Sequence, residues 1–206
     1  MVMKSFFPDI SKRVGIKLGI AFAQFPLSPN KWTIISLLPA IAGIYFLLRH
    51  ELAYALFLFA LAAAMDAIDG GVARVMGKVT NYGAYLDGMT DRFVEAAMLF
   101  GLMLFGYPDW MVPGWMWLTG MLFFGTTMTT FSRAYADHRK VVTEKELLDR
   151  MGGILERAER LMLIFASMIA YFIMPVYATY IMAFGVLLAA VTVLQRMWAV
   201  RSLRKD

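Results

Sequence analysis

Apolar residues run along this chain in six blocks, with the charged residues gathered between them. The blocks fall at 32–48, 52–65, 82–105, 115–131, 161–177 and 178–200. The second meets charge at Asp66, and the third carries Asp87, Asp91, Arg92 and Glu95 within its first fourteen residues. Pro26, Pro29, Pro108, Pro113 and Pro175 stand at or near block ends, where helix breakers belong. The pattern predicts six helices, and a bilayer asks about 20 apolar residues of each. The shortest link is Met174-Pro175-Val176-Tyr177, between the fifth and sixth. Ahead of the first block, Phe6, Phe7, Ile10, Val14 and Leu18 recur at helical spacing beside Lys12, Arg13 and Lys17. That pattern predicts an amphipathic helix over 1–25 lying in the membrane interface. The expected architecture is therefore all-α and polytopic: an interfacial helix, then a six-helix bundle over 26–206. With no internal repeat or linker, 1–206 reads as a single domain.

Composition excludes most other classes. The chain is 60% hydrophobic and 17% charged, against about 45–50% and 25% in soluble domains. With no cysteine, disulfide scaffolds, zinc ribbons, iron–sulfur clusters and thiol nucleophiles drop out. Residues 1–17 carry Lys4, Asp9, Lys12, Arg13 and Lys17 without a long apolar stretch, so no cleavable signal is expected. The net charge of +5 follows membrane topology rather than nucleic acid. Every lysine and arginine except Arg49 lies in 1–31, 66–82, 132–160 or 196–206, or, as Arg92, just inside the third block. The positive-inside rule then puts both termini in the cytoplasm, in the plasma membrane of the cell. His50 and His138 are single and scattered, and the 140–150 segment, alternating acid and base, reads as a solvated helix or loop.

Four carboxylates change the picture. Asp66, Asp69, Asp87 and Asp91 stand at or near the cytoplasmic ends of the second and third blocks. Placing one in a spanning helix costs at least about 2.5–3.5 kcal/mol, so four together demand a compensating partner. On a helix, Asp66, Asp69, Gly70, Ala73 and Arg74 fall at i, i+3, i+4, i+7 and i+8, which is one stripe. Gly83, Asp87 and Asp91, at i, i+4 and i+8, form a stripe on the next helix. Two neighbouring antiparallel helices can thus turn four oxygen ligands toward each other, with Gly70, Ala73 and Gly83 leaving room. Carboxylates without histidine or cysteine suit a hard cation: Mg²⁺ or Mn²⁺, or Ca²⁺. One divalent ion does not neutralise four negative charges. Two do, and a pair about 3.5–4 Å apart is the usual clamp for a phosphoryl group. Arg74 adds a fixed positive charge for phosphate oxygens. A lone aspartate at a helix end ordinarily caps it or is solvated. The set is a different matter, because eight fixed identities at this spacing arise by accident in roughly fewer than one in 10⁷ such chains.

The string Asp66-x-x-Asp69-Gly70-x-x-Ala73-Arg74, eight residues, then Gly83-x-x-x-Asp87-x-x-x-Asp91, resembles the signature of the CDP-alcohol phosphatidyltransferase family at every fixed position. Pro29-Asn30-x-x-Thr33 is similar to the family's segment before its first helix. The resemblance implies a six-helix membrane enzyme, often a homodimer, opening to the cytoplasm. It implies transfer from a CDP-linked alcohol to a second alcohol, giving a phosphodiester and CMP. Carried over by position, Asp66, Asp69 and Asp87 hold two Mg²⁺ or Mn²⁺ ions with help from Asp91, and Asp91 is the general base. Pro29, Asn30, Thr33, Asp69, Gly70, Ala73 and Gly83 line the nucleotide, and Arg74 binds phosphate oxygens.

The signature does not choose the acceptor. Arg157 and Arg160, in Gly153-Ile154-Leu155-Glu156-Arg157-Ala158-Glu159-Arg160, resemble the acceptor-phosphate segment of phosphatidylinositol-phosphate and archaetidylinositol-phosphate synthases. Arg133, in Ser132-Arg133-Ala134-Tyr135, is a looser match, because Tyr135 stands where arginine is common. Three guanidiniums suit a small phosphorylated polyol better than neutral serine or choline. The plain alternative is a Glu156–Arg160 helix ion pair with Arg157 reaching lipid headgroups. Inositol 1-phosphate leads and glycerol 3-phosphate is second; with a soluble acceptor, the donor is the lipid, CDP-diacylglycerol or CDP-archaeol. Two other classes remain open. Isoprenoid-transferring enzymes also bind diphosphates through metals, but with closer aspartate motifs. A cation transporter would place its site nearer the bilayer midplane, on broken helices.

Overall fold

The computed structural model describes residues 17, 19–142 and 144–203 of the chain. The interfacial helix expected over 1–25 lies largely outside them; of it, Lys17 and residues 19–22 are helical. Among the described residues every extended regular element is a helix. A single antiparallel bridge, Trp110 with Val112, closes a turn. Two compact units divide between Phe105 and Gly106.

The N-terminal unit contains α1 (Pro29–Ile35), α2 (Leu37–Leu48), α3 (Leu52–Val75) and α4 (Asn81–Phe105). Helix α1 begins three residues before the apolar block, with Pro29 in its first turn, where a missing N–H costs nothing. The rod breaks at Ser36 because Pro39, three residues on, has no N–H to offer the Ile35 carbonyl. Helix α3 does not stop at residue 65 but continues through Asp66 to Val75. The acidic stripe therefore rides on the same rod as the apolar block. Helix α2 packs against both α3 and α4. Glycines set that spacing: a β-carbon on Gly43 would meet the Phe59 ring at 2.9 Å, and one on Gly101 would meet Leu47 Cδ1 at 2.7 Å. Around these crossings Leu47, Ala55, Phe59, Met98, Leu99 and Leu102 are buried.

The C-terminal unit opens with a single rod in three parts: α5 (Gly114–Gly120), a π-helical stretch (Met121–Met128) and α6 (Thr129–His138). Then come α7 (Lys145–Arg150), α8 (Arg157–Ile173) and α9 (Pro175–Leu203). The π winding is a departure from the α-helix that the apolar block predicts. The short link expected at Met174–Tyr177 is present and shorter still: it is Met174 alone, in extended conformation (φ −154°, ψ 117°). Pro175 opens α9, since proline fits a first helical turn and ends the helix before it. The 140–150 segment is also not simply solvated. Val142, Leu148 and Met151 are buried with Ala136, and Leu147, Ala199 and Val200 pack around them. Its charges hid apolar positions that gather on one side.

Among the described residues, three helical runs are long and apolar enough to cross a membrane: Pro29–Leu48, Leu52–Val75 and Pro175–Ser202. Helix α4 is long enough, at 25 residues, but carries four charges. Helix α8 has 17 residues, and the Gly114–His138 rod is interrupted by its π stretch. Large apolar side chains such as Ile41, Phe57, Phe100, Phe172, Leu187 and Leu194 point outward from these helices. An apolar exterior of that kind belongs in lipid. The chain is an all-helical membrane protein.

Candidate metal and nucleotide site

Helix α3 and the first turns of α4 carry the acidic stripes, and the two helices touch. Asp66, Asp69 and Asp87 each turn one carboxylate oxygen to a common point, with these atoms all within 4.8 Å of one another. Asp69 is 4% exposed, and its Oδ2 is buried without a hydrogen-bond partner. Three like charges and an orphaned anionic oxygen are unfavourable together unless a cation joins them. The donors are all hard oxygens, so this constellation fits Mg²⁺ or Mn²⁺. Asp91, one turn beyond Asp87, is buried and stands outside that three-carboxylate group.

Helix α1 completes the surroundings. It packs on both α3 and α4, and the Thr33 hydroxyl stands beside the Asp69 carboxyl. Thr33 Oγ1 also lies 3.2 Å from the Pro29 carbonyl, to which it can donate, and Ser36 Oγ donates to the Thr33 carbonyl at 2.6 Å. Asn30 reaches Gly83, where a β-carbon would come within 3.3 Å of Asn30 Oδ1 and 3.1 Å of Thr80 Oγ1. Any side chain at residue 83 would push into that polar corner. Thr80 caps α4 by accepting the Gly83 N–H at 3.0 Å. The Arg74 guanidinium lies over Gly70, with Nη2 3.6 Å from where a β-carbon would stand. Pro29 and Thr33 are buried, Asn30, Gly70, Ala73 and Gly83 are half-buried, and Arg74 is exposed. Of the residues singled out from the sequence, those of the N-terminal unit are thus gathered around one point, with Asp91 set a turn apart.

The three remaining arginines belong to the C-terminal unit. Arg133 lies in α6 and Arg157 opens α8, both half-buried, while Arg160, one turn on, is 1% exposed. Two residues outside the sequence expectation stand out as buried charges. Glu95 is 1% exposed in α4, with Oε2 3.6 Å from Arg92 Nη1. Arg196, in α9, is 8% exposed and donates from Nη1 to the Thr129 carbonyl. Each was visible as a charge inside an apolar block, the one signal that marks such residues.

The chain is similar to known proteins over most of its length. The family model described as CDP-alcohol phosphatidyltransferase matches residues 26–194. An archaetidylinositol phosphate synthase of Pyrococcus horikoshii is 34% identical over 152 residues, 73% of this chain and 74% of that one. A phosphatidylinositol phosphate synthase of Mycobacteroides abscessus is 34% identical over 144 residues, 69% of this chain and 62% of that one. The fold is similar to crystal structures of the Mycobacterium tuberculosis phosphatidylinositol phosphate synthase. With CDP-DAG bound, the TM-score is 0.75 at 21% identity, covering 91% of this chain and 94% of that one. In complex with manganese and citrate, it is 0.76 at 20% identity, covering 91% and 89%. The matched region takes in the aspartate stripes, the α1 segment that reaches them and most of α9, and the chain belongs to the CDP-alcohol phosphatidyltransferase family.

Proposed function

We propose that the protein transfers a phosphatidyl-type group from a CDP-linked lipid to a hydroxyl of a small phosphorylated polyol, inositol 1-phosphate first, and releases CMP. The observation that carries this reading is the convergence of Asp66, Asp69 and Asp87, with a buried Asp69 oxygen left without a partner. Those three residues, with Asp91, would hold two Mg²⁺ or Mn²⁺ ions. The ions would supply charge neutralisation at the donor's diphosphate. Asn30, Pro29, Thr33, Gly70, Ala73 and Gly83 bound the nucleotide, and Arg74 binds the phosphate that leaves as CMP. Asp91 takes the proton of the acceptor hydroxyl as its oxygen bonds to the lipid-linked phosphorus. The bond from that phosphorus to the CMP oxygen breaks, and CMP departs with the electron pair. The acceptor's own phosphate is assigned to Arg133, Arg157 and Arg160.

Several findings support the finer points. The named functions of the two relatives favour an inositol phosphate as acceptor. CDP-DAG and manganese, each bound to the mycobacterial enzyme, favour a lipid donor and a divalent ion. The family model crosses both units, which favours one catalytic domain. The one-sided distribution of lysine and arginine favours six spans with both termini and the aspartates at the cytoplasmic face of the plasma membrane.

Purified protein offered CDP-diacylglycerol with inositol 1-phosphate, inositol, glycerol 3-phosphate or serine tests the reading. CMP release is expected with inositol 1-phosphate, to stop on chelation and to return with Mg²⁺ or Mn²⁺. Arg157→Ala is expected to raise KM for the acceptor about tenfold or more and to spare donor affinity. Preference for serine would reject the acceptor assignment, and CMP release indifferent to a chelator would reject the metal.

A further inference from the structure

Arg160 is among the largest fully buried side chains described, at 1% exposure. A guanidinium carried that deep needs room in the packing for its stem, and Gly125 leaves such room. Gly125 lies in the π-helical stretch Met121–Met128 and is buried. A β-carbon built on it would stand 2.7 Å from Arg160 Cδ and 2.8 Å from Met121 Sδ. Carbon atoms do not approach so closely, so a side chain here forces one neighbour to move. Met121 is flexible near its sulfur and can give. The Arg160 stem, packed on all sides, can move only by carrying its guanidinium with it.

The backbone around Gly125 is held in an unusual winding by its own side chains. Thr127 Oγ1 donates to the Leu122 carbonyl, five residues back, at 3.0 Å. Thr129 donates to the Gly125 carbonyl, and Thr130 donates to the Thr126 carbonyl at 2.8 Å. Arg196 then donates to the Thr129 carbonyl from α9, the helix that packs along this stretch. π turns are rare, and they recur at functional sites. Here hydroxyls and a buried arginine take up carbonyl oxygens along the rewound stretch, and its glycine sits under the Arg160 stem.

We propose that Gly125 is a positioning residue for the acceptor: within the π-helical stretch, its missing side chain is the slot that lets Arg160 present its guanidinium to the acceptor's phosphate. The inference rests on the reading of Arg160 as a ligand of that phosphate. It makes specificity for a phosphorylated acceptor depend on the π stretch as well as on the arginines.

Steady-state kinetics with CDP-diacylglycerol and inositol 1-phosphate test it, using Gly125→Ala, Thr129→Val and Arg160→Ala, with melting temperatures to establish folding. Gly125→Ala is expected to raise KM for inositol 1-phosphate about tenfold, with kcat changed by less than about twofold and KM for CDP-diacylglycerol unchanged. Thr129→Val, which frees the Gly125 carbonyl without adding bulk, is expected to move the same constant in the same direction by a smaller factor. If Gly125→Ala does not fold, Thr129→Val decides. A raised acceptor KM alone supports the slot, and an unchanged one overturns it. A folded Gly125→Ala with normal acceptor KM, or with its loss in kcat or donor KM, overturns the inference while a raised acceptor KM in Arg160→Ala leaves the arginine reading standing. Normal acceptor KM in Arg160→Ala overturns both.

Discussion

Asp69 and Asp91 are the same residue type in different surroundings. Asp69 shares its point with Asp66 and Asp87 and keeps one buried oxygen unpartnered, whereas Asp91 is buried one turn further along α4. The difference supports a division of labour between holding the donor and accepting a proton. Asp66→Ala is expected to weaken CDP-diacylglycerol binding by at least about tenfold, because the remaining carboxylates hold a divalent ion less firmly. Asp91→Asn is expected to keep that binding and to lower kcat by about 10²–10⁴-fold, the usual worth of a positioned proton acceptor. Titration with the CDP-lipid, run beside a CMP-release assay, checks both; a loss of donor affinity in Asp91→Asn as large as in Asp66→Ala would contradict the division. The aspartates were legible in the sequence because helical periodicity alone decides which side chains share a stripe. The contact of Thr33 with Asp69 and that of Asn30 with Gly83 were not derivable that way. They depend on α1 lying across two helices, a packing choice that no local spacing encodes. Only likeness to a known segment drew attention to Pro29, Asn30 and Thr33.

Among the elements, the segment leading into α8 shows how a loop can be fixed by a neighbouring helix. The Leu155 N–H donates to Thr192 Oγ1 at 2.9 Å, and the Ile154 N–H donates to Gln195 Oε1 at 3.2 Å. Thr192 is fully buried and itself donates to the Leu188 carbonyl. The start of α8, with Arg157 as its first residue, is therefore anchored to α9 just before the arginines begin. Thr192→Val keeps the shape and removes the acceptor, leaving a buried N–H unsatisfied. It is expected to cost about 1–3 kcal/mol, read as a lower melting temperature in detergent; an unchanged melting temperature would show that the anchor carries no load. Helices of this kind were legible as apolar blocks, but their winding was not. An α turn and a π turn need the same apolar content, and only the run Gly125-Thr126-Thr127-Met128-Thr129-Thr130 hinted that hydroxyls would compete for carbonyls. The docking of α7 was hidden in the same way, since its charges masked Leu147, Leu148 and Met151.

At the scale of the molecule, the sequence carried its information in where charge is absent. The described residues of both units are helical and apolar on their outer faces, as the six blocks predict. The number of crossings and their direction rest on the lysine and arginine distribution, and the absence of cysteine makes that directly measurable. Lys78, exposed after α3, and Met111, 82% exposed in the turn before α5, lie on opposite faces of the membrane in the six-span reading. Met111→Cys is expected to react with an impermeant thiol reagent on intact cells, and Lys78→Cys only after the membrane is opened. The reverse pattern would invert the protein, and labelling of both from outside would break the span count.

The one-residue link at Met174 bears on how the chain enters its membrane. Helix α8, with two arginines in its first turn, is a poor guest in hydrocarbon by itself. Joined through a lone extended residue to the long greasy α9, it has its companion alongside almost as soon as it is made. Lengthening that joint is therefore expected to lower the amount of protein recovered in the membrane more than the activity of the protein that is recovered.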